Sequence, residues 1–179
     1  MIQIILLITL FLMLLVTGVF WGPYFALHRS LNLFSASEFN HLTKVMGKNL
    51  GVSMRFLMPF CILFMGITIF YFPYSSNIQI ILLIVAFVFM LLSLVITMAV
   101  EVPLVNSLKA GTAETMPSNW EALRDKWVRF HAYRTVCALI SFVLYTASVL
   151  HIVWNKLVSN NAVTDYDCNG GGTVEKFFA

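Results

Sequence analysis

Charged side chains are scarce in this chain of 179 residues: they make up 11% of it, whereas 60% of the residues are hydrophobic. Soluble domains carry about 25% charged residues, so an ordinary water-soluble domain is excluded. Three long segments, residues 1–27, 56–100 and 135–155, contain no Lys, Arg, Asp or Glu. A helix needs about 20 apolar residues to cross a bilayer core. The chain is therefore predicted to be an integral membrane protein.

Cysteine is scarce as well. Cys61, Cys137 and Cys168 show neither CxxC spacing nor the spacing of zinc ligands. Cys61 and Cys137 fall within the apolar segments, where a thiol acts as a small hydrophobic side chain. A disulfide framework is therefore not expected. Flavin, haem and nicotinamide motifs are also missing from the sequence, and we expect no bound cofactor.

The long uncharged segment at residues 56–100 is predicted to form two helices. It exceeds the length of one membrane helix, and residues 73–77 combine a proline with small polar residues, which is typical of a turn. The four predicted spans are residues 2–23, 56–72, 78–100 and 133–154. Membrane strands would alternate polar and apolar residues, and this sequence does not. The predicted fold is therefore all-α, a four-transmembrane-helix bundle.

This bundle is expected to form one domain over residues 1–158. Residues 159–179 contain a triple glycine and scattered acids without a helical pattern. Such a segment is expected to be a flexible C-terminal tail or a remnant of recombinant expression.

Basic residues are concentrated in two loops. The loop after span one holds four of the 11 Lys and Arg residues, and the loop leading into the first turn of span four holds five. These loops lie on the same side of a four-span protein. The positive-inside rule makes both cytoplasmic and leaves both termini outside. We expect a multi-pass protein of a bacterial inner or plasma membrane, and because the net charge of +3 reflects this topology we expect no nucleic-acid partner.

The first cytoplasmic loop contains the start of a helix. Ser35 and Glu38 fit a capping box, and the apolar residues that follow predict a short interfacial helix over residues 36–50. Glu38 and His41 also form an ExxH pair, as in carboxylate-bridged metal bundles, which need about four carboxylates and two histidines. The other acid near a span is Glu101. The capping box is therefore favoured over a metal site at Glu38 and His41.

One face of the fourth helix carries aromatic and basic residues at alternating spacings of four and three. This spacing places them in one narrow arc of a helix. The stripe consists of Trp120, Arg124, Trp127, His131 and Arg134. Anchoring at the membrane surface explains the residue types, whereas a binding site explains why they share one face. Both interpretations stay open.

Glu101 ends the third span, two residues before Pro103. An acid at the end of an apolar segment needs a partner, and Arg134 at the start of span four is the predicted one. The pair is either structural, or it orients a catalytic Arg134. Asn106 either caps a helix that breaks near Pro103 or binds a substrate.

The first helix offers a second aromatic face. Trp21, Tyr24 and His28 recur at helical spacing on the side of the membrane where His131 is expected. Pro23 is expected to kink the helix there. If the two faces meet, His28 and His131 converge at one cytoplasmic mouth; if they do not, His28 is an interfacial anchor.

Two motifs resemble a known family. They are VPLVNSL at residues 102–108 and W-x-x-x-R-x-x-W-x-x-x-H-x-x-R-T at residues 120–135. With them the chain resembles the four-helix membrane family of unknown function that includes the fungal anthrone oxygenases. The first motif usually reads Val-Pro-x-Asn-Asn in that family. Asn106 matches the second Asn, and Val105 replaces the first.

The resemblance implies oxygenation of a polycyclic phenolic methylene group to a ketone, with molecular oxygen as co-substrate. His131 or His28 would act as the general base. Arg134, with Arg124 second, would stabilise the enolate oxygen. The expected substrate-binding residues are Trp21, Tyr24, Asn106, Trp120, Arg124 and Trp127.

Two functions therefore stay open, the first implied by the resemblance and the second resting on the stripe of the fourth helix. The first is a cofactor-independent monooxygenase that acts on an aromatic or phenolic small molecule at the cytoplasmic mouth of the bundle. The second is a non-catalytic membrane protein whose stripe binds lipid, a small ligand or a partner protein. Membrane lipid is an expected partner in both cases. A transporter is disfavoured, because the predicted spans carry no charged residue at their centres.

Overall fold

The computed structural model describes residues 2–71, 76–110 and 116–169, with side chains described in residues 2–71, 76–108 and 116–151. The helices are α1 (Ile2–Leu27), α2 (Ala36–Tyr71), α3 (Asn77–Ile96), α4 (Val102–Ala110) and α5 (Trp120–Asn169). A π-helical turn, Thr97–Glu101, joins α3 to α4 without a break, and a short 3₁₀ turn, Leu31–Leu33, follows α1.

Within the described residues, four helical stretches are long and apolar enough to cross a membrane: α1, α2, the continuous stretch from α3 to α4, and α5. This confirms the predicted all-α bundle of four transmembrane helices. The turn predicted at residues 73–77 falls mostly outside the described residues, and the flanking helices end at Tyr71 and begin at Asn77. α5 extends to Asn169, and the last part of the expected tail, residues 170–179, lies outside the described residues.

The helix predicted at residues 36–50 is the first part of α2 and continues into the second span. Its capping box is confirmed: the Ser35 amide donates to Glu38 Oε2 at 2.8 Å, and the Glu38 amide donates to Ser35 Oγ at 3.4 Å. Residues 50–56 contain no proline that would interrupt the helix, and Pro59 lies inside α2 without ending it. Gly51 alone costs about 1 kcal/mol in a helix interior, which is too little to end it.

Three serine hydroxyls hold α3 and α5 together. Each donates to a backbone carbonyl of the facing helix: Ser93 to Arg134 at 3.1 Å, Ser141 to Ala86 at 2.6 Å and Ser148 to Gln79 at 3.4 Å. Successive bonds lie seven residues apart on both helices, which is the repeat of an antiparallel coiled-coil seam. Small side chains along a seam let two backbones approach closely in a membrane. We call this set of bonds the serine ladder.

Apolar side chains form two separate clusters. The larger one fills the bundle interior and includes Phe20, Met58, Met90, Ala138 and Tyr145. The smaller one lies at the end of the bundle where α4 and the start of α5 meet, and it consists of Leu31, Phe39, Leu104, Leu108 and Trp127. Residues 131–134 of α5 lie between the segments that enter these clusters. Polar groups there are enclosed by apolar side chains along the helix in both directions.

Pro103 explains the π-helical turn. Proline has no backbone N–H, and its ring clashes with the carbonyl four residues back, here that of Ala99. The helix opens locally, and the Val102 amide donates to the Thr97 carbonyl five residues back. The chain thereby continues as α4. Because the helix does not end near Pro103, Asn106 lies within α4 and is not a cap.

The π-helical turn changes which residue faces α5. A π turn holds one more residue than an α turn. Gln79, Ala86 and Ser93 form the α3 side of the serine ladder, and a regular helix would continue their seven-residue spacing to Val100. With the extra residue, Glu101 is buried instead, at 3% exposure. The π-helical turn at Pro103 thus directs the Glu101 carboxylate toward the bundle interior.

We expect Ala138→Leu to destabilise the bundle, because Ala138 is fully buried in the interior cluster. Overpacking of a tight core costs about 1–3 kcal/mol. The measurement is the thermal unfolding temperature in detergent. Ala147→Leu is the matched control, since Ala147 is exposed on the same helix. Equal unfolding temperatures for the two variants would contradict the packing described here.

Candidate functional site

A buried polar cluster forms where the π-helical turn faces α5. It consists of Glu101, His131 and Arg134. The Arg134 Nη2 atom lies 2.7 Å from Glu101 Oε2, and His131 Nδ1 lies 3.6 Å from Glu101 Oε1. The side chains of Glu101 and His131 are 4% exposed and that of Arg134 is 13% exposed. The cluster therefore reaches the surface of the bundle mainly through the guanidinium.

The hydrogen bonds of His131 define its tautomer. Arg134 donates to His131 Nδ1 from Nε at 3.2 Å and from Nη2 at 2.8 Å. A guanidinium has donors only, so Nδ1 is the acceptor. The proton of a neutral imidazole is then on Nε2, which lies 3.2 Å from the carbonyl oxygen of Phe20 and donates to it. Both nitrogens of His131 are thus occupied by protein groups.

Phe20 is the residue of α1 that reaches the cluster. Its carbonyl accepts the His131 bond, and its ring lies under Arg134, with 4.5 Å from the guanidinium carbon to the ring centroid. Cation–π contacts of this kind stabilise a partly desolvated charge. The sequence reasoning missed Phe20, because an apolar side chain inside an apolar segment gives no signal of its backbone carbonyl.

Three helix hydroxyls complete the surroundings of Arg134 and His131. Thr97, the first residue of the π-helical turn, lies 3.4 Å from Arg134 Nη1 and accepts its hydrogen bond. Ser93 donates to the Arg134 carbonyl, and Thr135 donates to the His131 carbonyl at 2.7 Å. The last bond of the serine ladder therefore fixes the backbone of the residue that carries the cation.

One atom of the cluster stands apart from this network. Glu101 Oε1 is buried and accepts no hydrogen bond from the described residues, whereas Glu101 Oε2 is paired with Arg134. Buried carboxylate oxygens are almost always hydrogen-bonded, so an exception needs an explanation. The predicted pairing of Glu101 with Arg134 is confirmed, and it leaves half of the carboxylate available.

The outer part of the α5 stripe forms a separate group. Trp127 stacks on His131, with ring centroids 5.0 Å apart and planes tilted by 18°, and thus links the stripe to the cluster. One and two turns further out, Arg124 lies 5.3 Å from the Trp120 ring and forms an ion pair with Asp125 at 3.0 Å. Trp120 and Arg124 are therefore partnered with each other rather than with the cluster.

The aromatic side chains of α1 lie next to one another on one face of the helix, as their spacing predicts. The rings of Trp21 and Tyr24 are 5.7 Å apart, and those of Tyr24 and His28 are 4.8 Å apart. Within the described part of the chain, no hydrogen bond, ion pair or ring contact joins these three residues to His131. The two faces therefore do not meet through the side chains that we expected, and Phe20 connects α1 with His131 and Arg134 instead.

The remaining candidates lie at the surface. Asn106 is exposed on α4. Glu38 and His41 line an open groove of about 550 Å³ together with Phe34, Ser37, Leu42 and Val45. In the residues that the structure describes, no group of three or more His, Cys, Asp or Glu side chains could hold a metal ion.

Comparison with known proteins adds one finding. A family model described as "Anthrone oxygenase" matches residues 50–144, which is more than half of the chain. The matched segment contains Glu101, His131 and Arg134. No curated protein and no solved structure matches the chain significantly.

We expect Arg134→Leu to lower the free energy of unfolding by about 3–5 kcal/mol, because it leaves the Glu101 carboxylate buried without its cation. The double variant Glu101→Leu/Arg134→Leu should be more stable than the single variant, since it removes both charges. Unfolding in detergent measures both. Arg129→Leu, at an exposed position of α5, is the control. A double variant less stable than Arg134→Leu would contradict the conclusion that Glu101 and Arg134 are buried as an ion pair.

Proposed function

The chain belongs to the anthrone oxygenase family, and we propose that it is a membrane oxygenase that converts the acidic methylene group of a phenolic aromatic compound to a ketone. The observation that carries this proposal is the buried Glu101–His131–Arg134 cluster. It combines a proton acceptor with a fixed cation inside an apolar bundle. In the alternative, a non-catalytic protein that binds lipid, a ligand or a partner, the cluster would have a structural role only.

The proposed reaction consumes one molecule of oxygen. A base removes one methylene proton, and the electron pair of the broken C–H bond is delocalised as an enolate. The former methylene carbon of this enolate reacts with oxygen and forms a hydroperoxide. Loss of water from the hydroperoxide gives the ketone, so that CH₂ and O₂ become C=O and H₂O. We propose that no resident cofactor takes part, because a stabilised carbanion itself supplies the electrons.

Arg134 is proposed to stabilise the enolate oxygen. Preorganised cations and donors act most strongly where water is excluded. Thr97, His131, Glu101 and the Phe20 ring hold the guanidinium from four directions. The base is proposed to belong to the His131–Glu101 pair. Arg134 is the most exposed member of the cluster, so a flat apolar substrate would approach from its side.

The aromatic residues are proposed to guide the substrate to this point. Trp127 continues the cluster outward, and Trp120 with Arg124 forms the next layer of the same face. The Trp21–Tyr24–His28 group lies on α1, the helix that also supplies Phe20. Offset stacking on indole and phenol rings suits a polycyclic ligand. We include Asn106 only as an outer contact, since it is exposed on α4.

The protein is proposed to reside in a bacterial inner or plasma membrane with both termini outside. The distribution of Lys and Arg supports this orientation. The cluster would then lie close to the cytoplasmic surface, within reach of substrates that partition into the inner leaflet.

We expect the purified protein in detergent to accelerate the conversion of an anthrone to its anthraquinone in the presence of oxygen. Arg134→Gln should lower kcat by about 100-fold, the size of a lost oxyanion donor. Quinone absorbance is the measurement, and Arg129→Gln is the matched control. If the wild type gives only the background rate, the oxygenase proposal is lost for this substrate class. Tight anthrone binding without turnover would favour a ligand-binding protein.

The proposed orientation predicts the labelling of single cysteines by a membrane-impermeant maleimide, in a background of Cys168→Ser. Asn77→Cys, at the start of α3, should react in intact cells. Ser118→Cys, in the loop before α5, should react only after the membrane is opened. Both positions are exposed in the structure, so accessibility does not favour either one. The reverse pattern would overturn the orientation.

A further inference from the structure

The atoms of the cluster differ in their capacity to accept a proton. His131 Nε2 already carries a proton that Phe20 accepts, and His131 Nδ1 receives two N–H donors of Arg134. Glu101 Oε2 receives Arg134 Nη2 at 2.7 Å. Glu101 Oε1 has no hydrogen-bond partner among the described residues. Free lone pairs in this cluster are therefore on Glu101 and not on the histidine.

Charge balance favours the same atom. A proton on His131 Nδ1 would create an imidazolium 2.8 Å from the Arg134 guanidinium, and the two cations in contact would share one carboxylate, whose Oε1 atom lies 3.6 Å from Nδ1. Like charges disfavour each other, and more strongly in an apolar interior than in water. A proton on Glu101 creates no new cation. It releases Arg134 from its carboxylate partner at the moment when an anionic enolate forms, and the number of buried charges stays constant.

We propose that Glu101 is the catalytic base and that its Oε1 atom takes the methylene proton, whereas His131 positions Arg134. This inference rests on the proposed function. The C–H bond of the substrate breaks, the proton forms an O–H bond with Oε1, and the electron pair stays on the substrate as the enolate that Arg134 then pairs with. Oε1 is enclosed and Arg134 is the most exposed side chain of the cluster, so the proposal requires the substrate to approach Oε1 beside the guanidinium.

The role of His131 follows from its two fixed bonds. The Phe20 carbonyl fixes the imidazole through Nε2, and the imidazole in turn holds Nε and Nη2 of Arg134 through Nδ1. Asparagine at this position retains an amide oxygen that can accept from Arg134. His131→Asn is therefore expected to weaken enolate stabilisation without removing the base.

The proton step can be measured apart from oxygenation. Under anaerobic conditions in D₂O, NMR follows the exchange of the methylene protons of an anthrone for deuterium. The wild type should accelerate this exchange. Glu101→Gln, which keeps an oxygen for Arg134 but lacks a basic carboxylate, should lose about 100-fold or more of the acceleration, the contribution of a general base. Glu101→Asp should keep part of it, and His131→Asn most of it.

Matched controls separate this role from folding and from the reaction itself. Glu121→Gln changes an exposed acid on the first turn of α5, and His41→Asn changes an exposed histidine of α2. Each variant is compared by its unfolding temperature. Full exchange in a folded Glu101→Gln protein, together with its loss in His131→Asn, would overturn the proposal and make His131 the base. Exchange without oxygenation in the wild type would retain the base and remove the oxygenase function. A wild type that catalyses neither step would remove both.

Discussion

The ion pair between Glu101 and Arg134 connects two membrane helices at a depth where either charge alone is costly. A charged side chain that is buried without a partner costs several kcal/mol, and buried ions persist where they are paired. Here the partners come from the π-helical turn after α3 and from α5, at 2.7 Å. The serine ladder sets the register of these two helices, and its Ser93–Arg134 bond ends at the residue that carries the cation. The packing of α3 against α5 therefore also determines the geometry of the polar cluster.

The apolar surroundings determine what this arrangement can do. Phe20 and Trp127, from the two hydrophobic clusters, contact Arg134 and His131 respectively. Such neighbours exclude water and lower the local dielectric, which strengthens both attraction and repulsion among the three polar side chains. In these surroundings His131 Nδ1 accepts two hydrogen bonds from the guanidinium. The same surroundings would shield a reactive carbanion from water, although not from oxygen, which dissolves readily in apolar media.

Much of the fold could be predicted because membrane insertion leaves a simple trace in the sequence. The uncharged segments predict the four spans, and the single acid at the end of the third span, Glu101, predicts a basic partner, Arg134. Contacts through backbone atoms could not be predicted in this way. Phe20 contributes a carbonyl and a ring face, and neither differs in the sequence from those of any other phenylalanine. The prediction for α1 therefore selected the face with Trp21, Tyr24 and His28. The contact with His131 is made by Phe20 instead.

The sequence contains the cause of the π-helical turn, Pro103, but it does not show that the turn buries Glu101. Pro103 two residues after Glu101 suggested a break, but whether a proline ends or deforms a helix depends on what the neighbouring helices can satisfy. In this bundle the seven-residue spacing of Gln79, Ala86 and Ser93 could have indicated the direction of α5. Counting onward from it gives Val100, and only the inserted residue gives Glu101. Periodicity alone cannot reveal an insertion within a continuous helix.

The inserted residue also bears on how such a protein evolves. Deleting the Glu101 codon would bring Val100 into the phase of the serine ladder and replace the carboxylate at the α5 interface by an apolar side chain. The serine ladder and the interior hydrophobic cluster lie outside the π-helical turn and would be retained. Presence or absence of the acid is thus separable from the bundle by a single in-frame event. Four-helix proteins of this architecture can diverge in chemistry while their transmembrane packing is conserved.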